Sequence, residues 1–162
     1  MTSSGSELAT CGVVAFDRWP DLKPTFETTT AIEVTDAYVP GSLFRREPPA
    51  LLAGLQKFRD SIDKSPSTIV IDGNVRLNQQ RKPGLGLSLF DELGELVPIV
   101  GVAKNPFHGL DPVLVKRGDS NKPLYVTAAG IDEHIAAKKV SQMAGEFRIP
   151  SLLRRVDQLA RG

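Results

Sequence analysis

The chain has 162 residues, 41% of them apolar, so one compact domain with its own core is expected and a disordered chain is excluded. Twenty Lys and Arg face 19 Asp and Glu, a net charge of +1, which excludes a uniformly basic nucleic-acid wrapper but not a local basic patch. The lone Cys11 excludes a disulfide scaffold and a Cys-cluster zinc site, and fits a reducing, cytoplasmic compartment.

Residues 1–8 read as a frayed tail, bounded at residue 10, with one domain over 11–162. Met1-Thr2-Ser3-Ser4-Gly5-Ser6 carries neither a basic nor an apolar leader region, so no secretory signal is expected. Residues 12–16, Gly-Val-Val-Ala-Phe, read as a short buried strand, and Trp19-Pro20-Asp21 as a turn. Residues 25–36 are rich in Thr, Val and Ile, which predicts a second strand or hairpin arm. Pro48-Pro49 opens a helix with Leu51, Leu52, Leu55, Phe58 and Ile62 on one face.

Thr68-Ile69-Val70-Ile71 then forms an all-apolar strand running into Asp72-Gly73, the pattern of a central parallel strand. Residues 74–84 are polar and basic and read as a loop. A helix follows over about 84–94, with Leu85, Leu89, Phe90 and Leu93 inward. The next strand spans 98–103 and delivers Lys104 at its end. The surrounding apolar run from Leu96 to Ala103 is broken by Pro98 and Gly101 and is far short of the roughly 18 residues of a membrane span. A further strand covers 123–127. Asp132 is placed to cap a helix carrying Ile135, Ala136, Val140 and Met143, and Pro150 starts a last helix with Leu153, Val156 and Leu159 inward. Early strands followed by alternating helix and strand imply an α/β fold with a mixed sheet and helices on its faces.

Charge is unevenly placed. Residues 1–40 hold two basic and six acidic side chains, residues 41–86 eight and four, and the remainder ten and nine. The positive excess therefore lies in the middle third. Functional side chains in such sheets gather beyond the carboxyl ends of the parallel strands, where Asp72 and Lys104 fall. A carboxylate at a strand end followed by glycine can hold a divalent metal, or simply cap the following turn. Glu47, at the start of the first long helix, is favoured there by the helix dipole alone. Lys104 could stabilise a phosphate or a leaving oxygen, or be an ordinary solvated lysine. Two carboxylates could hold one Mg²⁺ or Mn²⁺ that polarises a phosphate and activates water.

The order of short motifs resembles the endonuclease V family over nearly the whole chain. Tyr38-Val39-Pro40-Gly41 and Phe44-Arg45-Arg46-Glu47 resemble its PYxPG and FRE segments. Ile71-Asp72-Gly73 resembles its apolar strand ending in DG. Arg81-Lys82-Pro83-Gly84 resembles its RK-x-G segment, and Pro98-Ile99-Val100-Gly101-Val102-Ala103-Lys104 its P-x-x-GVAK strand. Lys122-Pro123-Leu124-Tyr125-Val126-Thr127 resembles the KPlyVS strand, and Arg148-Ile149-Pro150 with Arg154 the closing R-x-P-x-x-x-R.

The resemblance implies an RNase H-like fold and Mg²⁺-dependent phosphodiester hydrolysis near deaminated bases, chiefly inosine, in DNA or RNA, an activity of DNA repair. It implies Glu47 and Asp72 as metal ligands, Lys104 as the active-site lysine, and Tyr38, Val39, Pro40 and Gly41 as a wedge at the lesion. Such a wedge is physically sensible, because reading a base edge requires taking the base out of the stack. Arg45, Arg46, Arg76, Arg81 and Lys82 fall in the positive third and are expected to contact phosphates.

Several family features are absent. The first metal-binding acid lies on a first strand of the GVDvsY type. In one register residues 13–19 are that strand and Asp17 the ligand. In the other, residues 12–27 are the family's second strand, with Trp19-Pro20-Asp21-Leu22 its yPdL turn, and the first strand is missing. The second reaches Tyr38 with almost no gap. A missing central strand would expose its neighbours' edges, so either residues 12–17 shift into that place, or another chain, a homodimer partner included, completes the sheet. The family's HPR and SPGH histidines have no counterpart. His108 and His134 are expected to be structural or solvent-facing. Two alternatives to an active nuclease stand beside it: an inactive nucleic-acid-binding descendant, and an interaction module whose incomplete sheet takes a partner strand.

Overall fold

A computed structural model of the chain describes residues 7–34, 47–78 and 84–162. Two strands open it. β1 (Glu7–Ala15) and β2 (Phe26–Val34) pair antiparallel from Glu7 opposite Val34 to Ala15 opposite Phe26. The connection tightens at the expected turn. The Arg18 backbone N–H donates to the Asp21 carboxylate at 2.9 Å, and the Asp21 N–H returns to the Arg18 carbonyl at 3.0 Å. The Phe16 and Trp19 rings meet edge to face at 5.7 Å. β1 starts at Glu7, ahead of the expected Gly12, because pairing with residues 31–34 of β2 overrides the weak strand preference of Glu-Leu-Ala-Thr.

α1 (Glu47–Ile62) follows, then β3 (Ile69–Asp72), α2 (Leu85–Glu92), β4 (Ile99–Ala103), β5 (Val113–Val115), β6 (Leu124–Ala129), α3 (Glu133–Ser141) and α4 (Ser151–Arg161). The second sheet has the order β3-β4-β6-β5. β3 and β4 run parallel, joined through α2, whereas β6 is antiparallel to both β4 and β5. This is the mixed sheet that the apolar runs imply. β4 is buried at every position, so its unbroken hydrophobicity reflects cover on both faces. On one face Val100, Val102, Leu124 and Val126 pack with Ala136 and Val140 of α3; on the other Ile71, Ile99 and Ala129 pack with Leu89 and Phe90 of α2. β5 escapes the sequence reading because three residues are too few to establish a period.

The helices follow their patterns with two corrections. The Asp132 carboxylate caps α3, accepting from the N–H groups of His134 and Ile135. Ile135, expected inward, is 52% exposed, and Ala137 takes the inward place beside Ala136 and Val140. In α4 the buried side chain is Leu152, while Leu153, Val156 and Leu159 are half-buried.

The hairpin packs on α1 and α4, which cover its opposite faces. A Cβ on Gly12 would meet the Val156 carbonyl at 2.7 Å, whereas a Cβ on Gly54 of α1 would meet the Cys11 Sγ at 2.8 Å. Alternate β1 residues therefore face different helices. Burial raises the Cys11 thiol pKa, which keeps it protonated. The expectation that residues 12–17 move into the main sheet is corrected: among the described residues β1 pairs with β2 and not with β3. A cleft of about 970 Å³ lies between the two sheets, lined along β1 and β3 and by both helices. No helix among the described residues is long and apolar enough to cross a membrane.

Candidate active site

Asp72 ends β3 and Lys104 follows β4, so the parallel pair brings both to one sheet edge. Lys104 Nζ lies 3.3 Å from Asp72 Oδ2, with the side chains 32% and 51% exposed. The turn after Asp72 is fixed from below. Gly73 adopts φ +147°, a conformation that disfavours a side chain, and its N–H donates to the Val102 carbonyl at 3.0 Å. The chain then crosses directly over Gly101 of β4, where a Cβ would stand 2.5 Å from the Gly73 carbonyl oxygen. The Val75 N–H donates to Thr127 Oγ1 at 2.8 Å, and Thr127 is fully buried. A buried N–H satisfied by a buried hydroxyl anchors the turn to β6.

Lys104 is steadied from the other side. Arg148 donates to the Lys104 carbonyl, and also to that of Pro123 at 2.9 Å. The loop bearing Arg148 is held by Arg117. Its buried guanidinium donates to the carbonyls of Met143 (2.6 Å), Gly145 (3.0 Å), Phe147 (3.0 Å) and Arg148 (3.3 Å). Burial lowers the Arg117 pKa, yet these four acceptors suit the charged form. Lys104 and Arg148 also line a second, smaller cleft of about 370 Å³ with Arg154, Arg161, Asp157 and Gln158 of α4. Arg161 pairs with Asp157 at 3.0 Å, and the Arg154 guanidinium lies over the Phe147 ring at 5.8 Å. This cleft carries more positive than negative groups and suits a phosphate. Arg148 and Arg154 stand out in sequence only through the closing motif. Arg161 carries no sequence signal, because only the helical repeat brings it beside Lys104.

Arg76 is corrected. It was expected to contact phosphates, but it is 7% exposed and clamps the α3 cap. Its Nε and Nη2 donate to the two Glu133 carboxylate oxygens, each at 2.9 Å, and Nη1 donates to the Asn78 carbonyl at 3.0 Å. The Glu133 hydrogen bonds raise the Arg76 pKa. Asp17 lies just past β1, exposed, at the hairpin connection. His108 and His134 are exposed, as expected. Glu47 begins α1, but its side chain lies outside the described residues, as do Tyr38, Val39, Pro40, Gly41, Arg45, Arg46, Arg81 and Lys82. Among the described residues no three His, Cys, Asp or Glu side chains group as a metal site. Asp72 nevertheless offers a hard oxygen donor: Lys104 donates to Oδ2, and the carboxylate is half open. Mg²⁺ needs only one or two carboxylates when substrate phosphate and water complete its shell, and the oxygen chemistry of Asp72 fits that demand.

The sequence profile described as Endonuclease V matches residues 1–118. The chain belongs to the endonuclease V family. Endonuclease V of Streptomyces avermitilis is 32% identical over 158 aligned residues, covering 83% of this chain and 65% of that protein. The Mus musculus protein is 27% identical, covering 94% of this chain and 54% of its own length. The chain thus spans about half to two thirds of these relatives. The solved Streptomyces avermitilis enzyme superposes with a TM-score of 0.67 at 29% identity, covering 99% of this chain and 82% of that structure. The structure of Ciona intestinalis endonuclease V in complex with DNA containing an inosine followed by a ribo-adenosine gives 0.73 at 18% identity, covering 98% and 86%. These neighbours establish the endonuclease V, RNase H-like fold.

Proposed function

We propose that the chain, with residues 11–162 as its catalytic domain, is a cytoplasmic Mg²⁺-dependent endonuclease that hydrolyses a phosphodiester near inosine in DNA or RNA. The observation that carries this reading is the Asp72–Lys104 pair, 3.3 Å apart at the carboxyl ends of two parallel strands and beside a basic cleft. Asp72 and Glu47 are the proposed metal ligands. The bound ion would polarise the phosphate and lower the pKa of a water. Lys104 offsets charge on the phosphate or the leaving oxygen. Arg154 and Arg161 extend positive charge along the strand path, and Arg46, Arg81 and Lys82 add phosphate contacts. Tyr38, Val39, Pro40 and Gly41 act as the wedge that holds the base out of the stack.

A second reading has its own observation. Asp17 sits exposed at the hairpin connection, past the end of β1, which suits a binder that has lost cleavage. Inosine-containing DNA and RNA oligonucleotides incubated with Mg²⁺, alongside Lys104→Ala, separate the two. Cleavage that falls in the variant supports the nuclease. Binding without cleavage in either protein supports the binder. The reading also includes a strand supplied by another polypeptide, a homodimer partner among the candidates.

A further inference from the structure

We propose that Phe147 and Arg154 form a stacking site for one unpaired nucleobase beside the basic cleft, so that the cleft takes a single-stranded stretch of nucleic acid. The proposal rests on the nucleic-acid reading of that cleft and not on cleavage. Its first support is the Phe147 ring. It is 58% exposed and, among the described residues, belongs to neither buried cluster. A single exposed apolar side chain is ordinary in itself. This one is held in place. Its carbonyl accepts from the buried Arg117 guanidinium at 3.0 Å. Its main chain packs on Gly118, where a Cβ would stand 3.3 Å from the Phe147 Cα and carbonyl carbon. The ring is thus presented from a fixed backbone.

The second support is what surrounds the ring. The Arg154 guanidinium lies over it at 5.8 Å, and Arg154 lines the basic cleft together with Lys104, Arg148 and Arg161. The next residue in the chain, Arg148, donates to the Lys104 carbonyl. The ring therefore stands one residue from the group that steadies Lys104, and against a cation of the cleft wall. Of the side chains lining the cleft only Asp157 is acidic, and it pairs with Arg161 at 3.0 Å.

The ligand follows from these two chemistries. Cationic side chains take phosphate oxygens, and an open aromatic ring takes a flat π face. A nucleotide carries both. Inside a duplex each base face is covered by its neighbours, so the ring selects an unpaired base. Phe147 has no hydrogen-bonding group in its side chain, and stacking alone tolerates any base. The planar Arg154 guanidinium adds cation–π attraction to the same stack. The strand's phosphates run past Lys104 and Arg161 while one base lies on Phe147. The site thus recognises an unpaired strand, not a particular base.

The test is binding of the full chain to a fluorescent oligothymidylate of about ten nucleotides, within the usual single-strand site sizes. It is read by anisotropy at low salt with EDTA present. Phe147→Ala and Phe147→Leu are expected to weaken binding by about 5- to 150-fold, whereas Phe147→Tyr, which keeps the ring, binds as the wild type. An abasic strand of equal length binds the wild type more weakly than the thymidylate does, and binds Phe147→Ala as it binds the wild type. Phe147→Trp places a fluorophore in the stack. Oligothymidylate quenches its emission and the abasic strand does not, a signal that Trp19, the wild type's one tryptophan, does not give. The ring is exposed and Arg117 uses the main-chain carbonyl, so the variants keep the wild-type circular dichroism. The Leu and Trp variants decide without the Ala variant if that one melts early. Equal loss on both strands, Phe147→Leu binding like Phe147→Tyr, or no preference of the wild type for thymidylate overturns the proposal. Cleavage of an inosine strand with Mg²⁺, run in parallel, reports on the nuclease reading separately. A protein that cuts but gives any of those three results loses this proposal alone, and one that stacks the base without cutting loses the nuclease reading alone.

Discussion

The hydroxyl of Thr127 is the anchor of the turn that presents Asp72, and its removal has a calculable cost. Thr127→Val keeps the volume and the β-branch, so it opens no cavity. It leaves the Val75 N–H, now 2.8 Å from Oγ1, buried without an acceptor. An unsatisfied buried donor costs about 1–3 kcal/mol. At about 2–4 °C per kcal/mol for a chain of this size, Tm falls by about 2–12 °C. Thr127→Ser restores the acceptor and loses one methyl, about 0.8 kcal/mol, and so melts above Thr127→Val. Thermal melts of the three proteins give the order, and amide exchange at Val75 gives the cause. The Val variant is expected to lose protection at Val75, whereas the Ser variant retains it. If Thr127→Val melts with the wild type, or below it but no lower than Thr127→Ser, the hydroxyl is not the anchor.

Three other outcomes follow from the same geometry. Gly101→Ala places a Cβ 2.5 Å from the Gly73 carbonyl oxygen and 3.0 Å from the Val75 nitrogen; as both are backbone, stability falls by about 1–3 kcal/mol or more in urea unfolding. Glu133→Gln removes the carboxylate that holds the buried Arg76 guanidinium, lowering urea stability by about 1.5–3 kcal/mol. The Glu27–Arg155 pair joins β2 to α4, with Arg155 Nε 2.5 Å from Glu27 Oε2, and the hydrogen bond holds the Glu27 pKa below its ordinary value. That stabilisation is fully present above the unfolded carboxylate value of about 4.3 and is lost as pH falls through the lower folded value. Melts of wild type and Glu27→Gln should therefore differ at neutral pH and converge under acid.

The strands most legible in sequence were those with the strongest physical constraint. β4 is buried throughout because helices cover both faces of the main sheet, and Asp72-Gly73 marks the point where β3 must turn across β4. The Asp132 cap was legible because a side-chain oxygen ahead of a helix has one favoured use. β5 was not, since Val113–Val115 is ordered by its pairing with β6 rather than by its own pattern. Arg76 was misassigned because charge counts do not reveal burial; its partner Glu133 is 57 residues away in sequence. The strand-end positions of Asp72 and Lys104 were legible, but their approach to 3.3 Å and the Arg161 edge of the basic cleft came only from the packing of β3, β4 and α4.

The central claim is that Asp72 belongs to a nuclease centre. The direct measurement is single-turnover cleavage, with Mg²⁺, of matched oligonucleotides that carry inosine or guanine at one position. Cuts are expected near inosine only, with a rate at least about a hundredfold lower in Asp72→Asn, since even outer-shell changes at metal sites cost about 10–100-fold. Equal cleavage by Asp72→Asn and wild type, or no cleavage by a wild-type protein that binds the inosine strand, would contradict it.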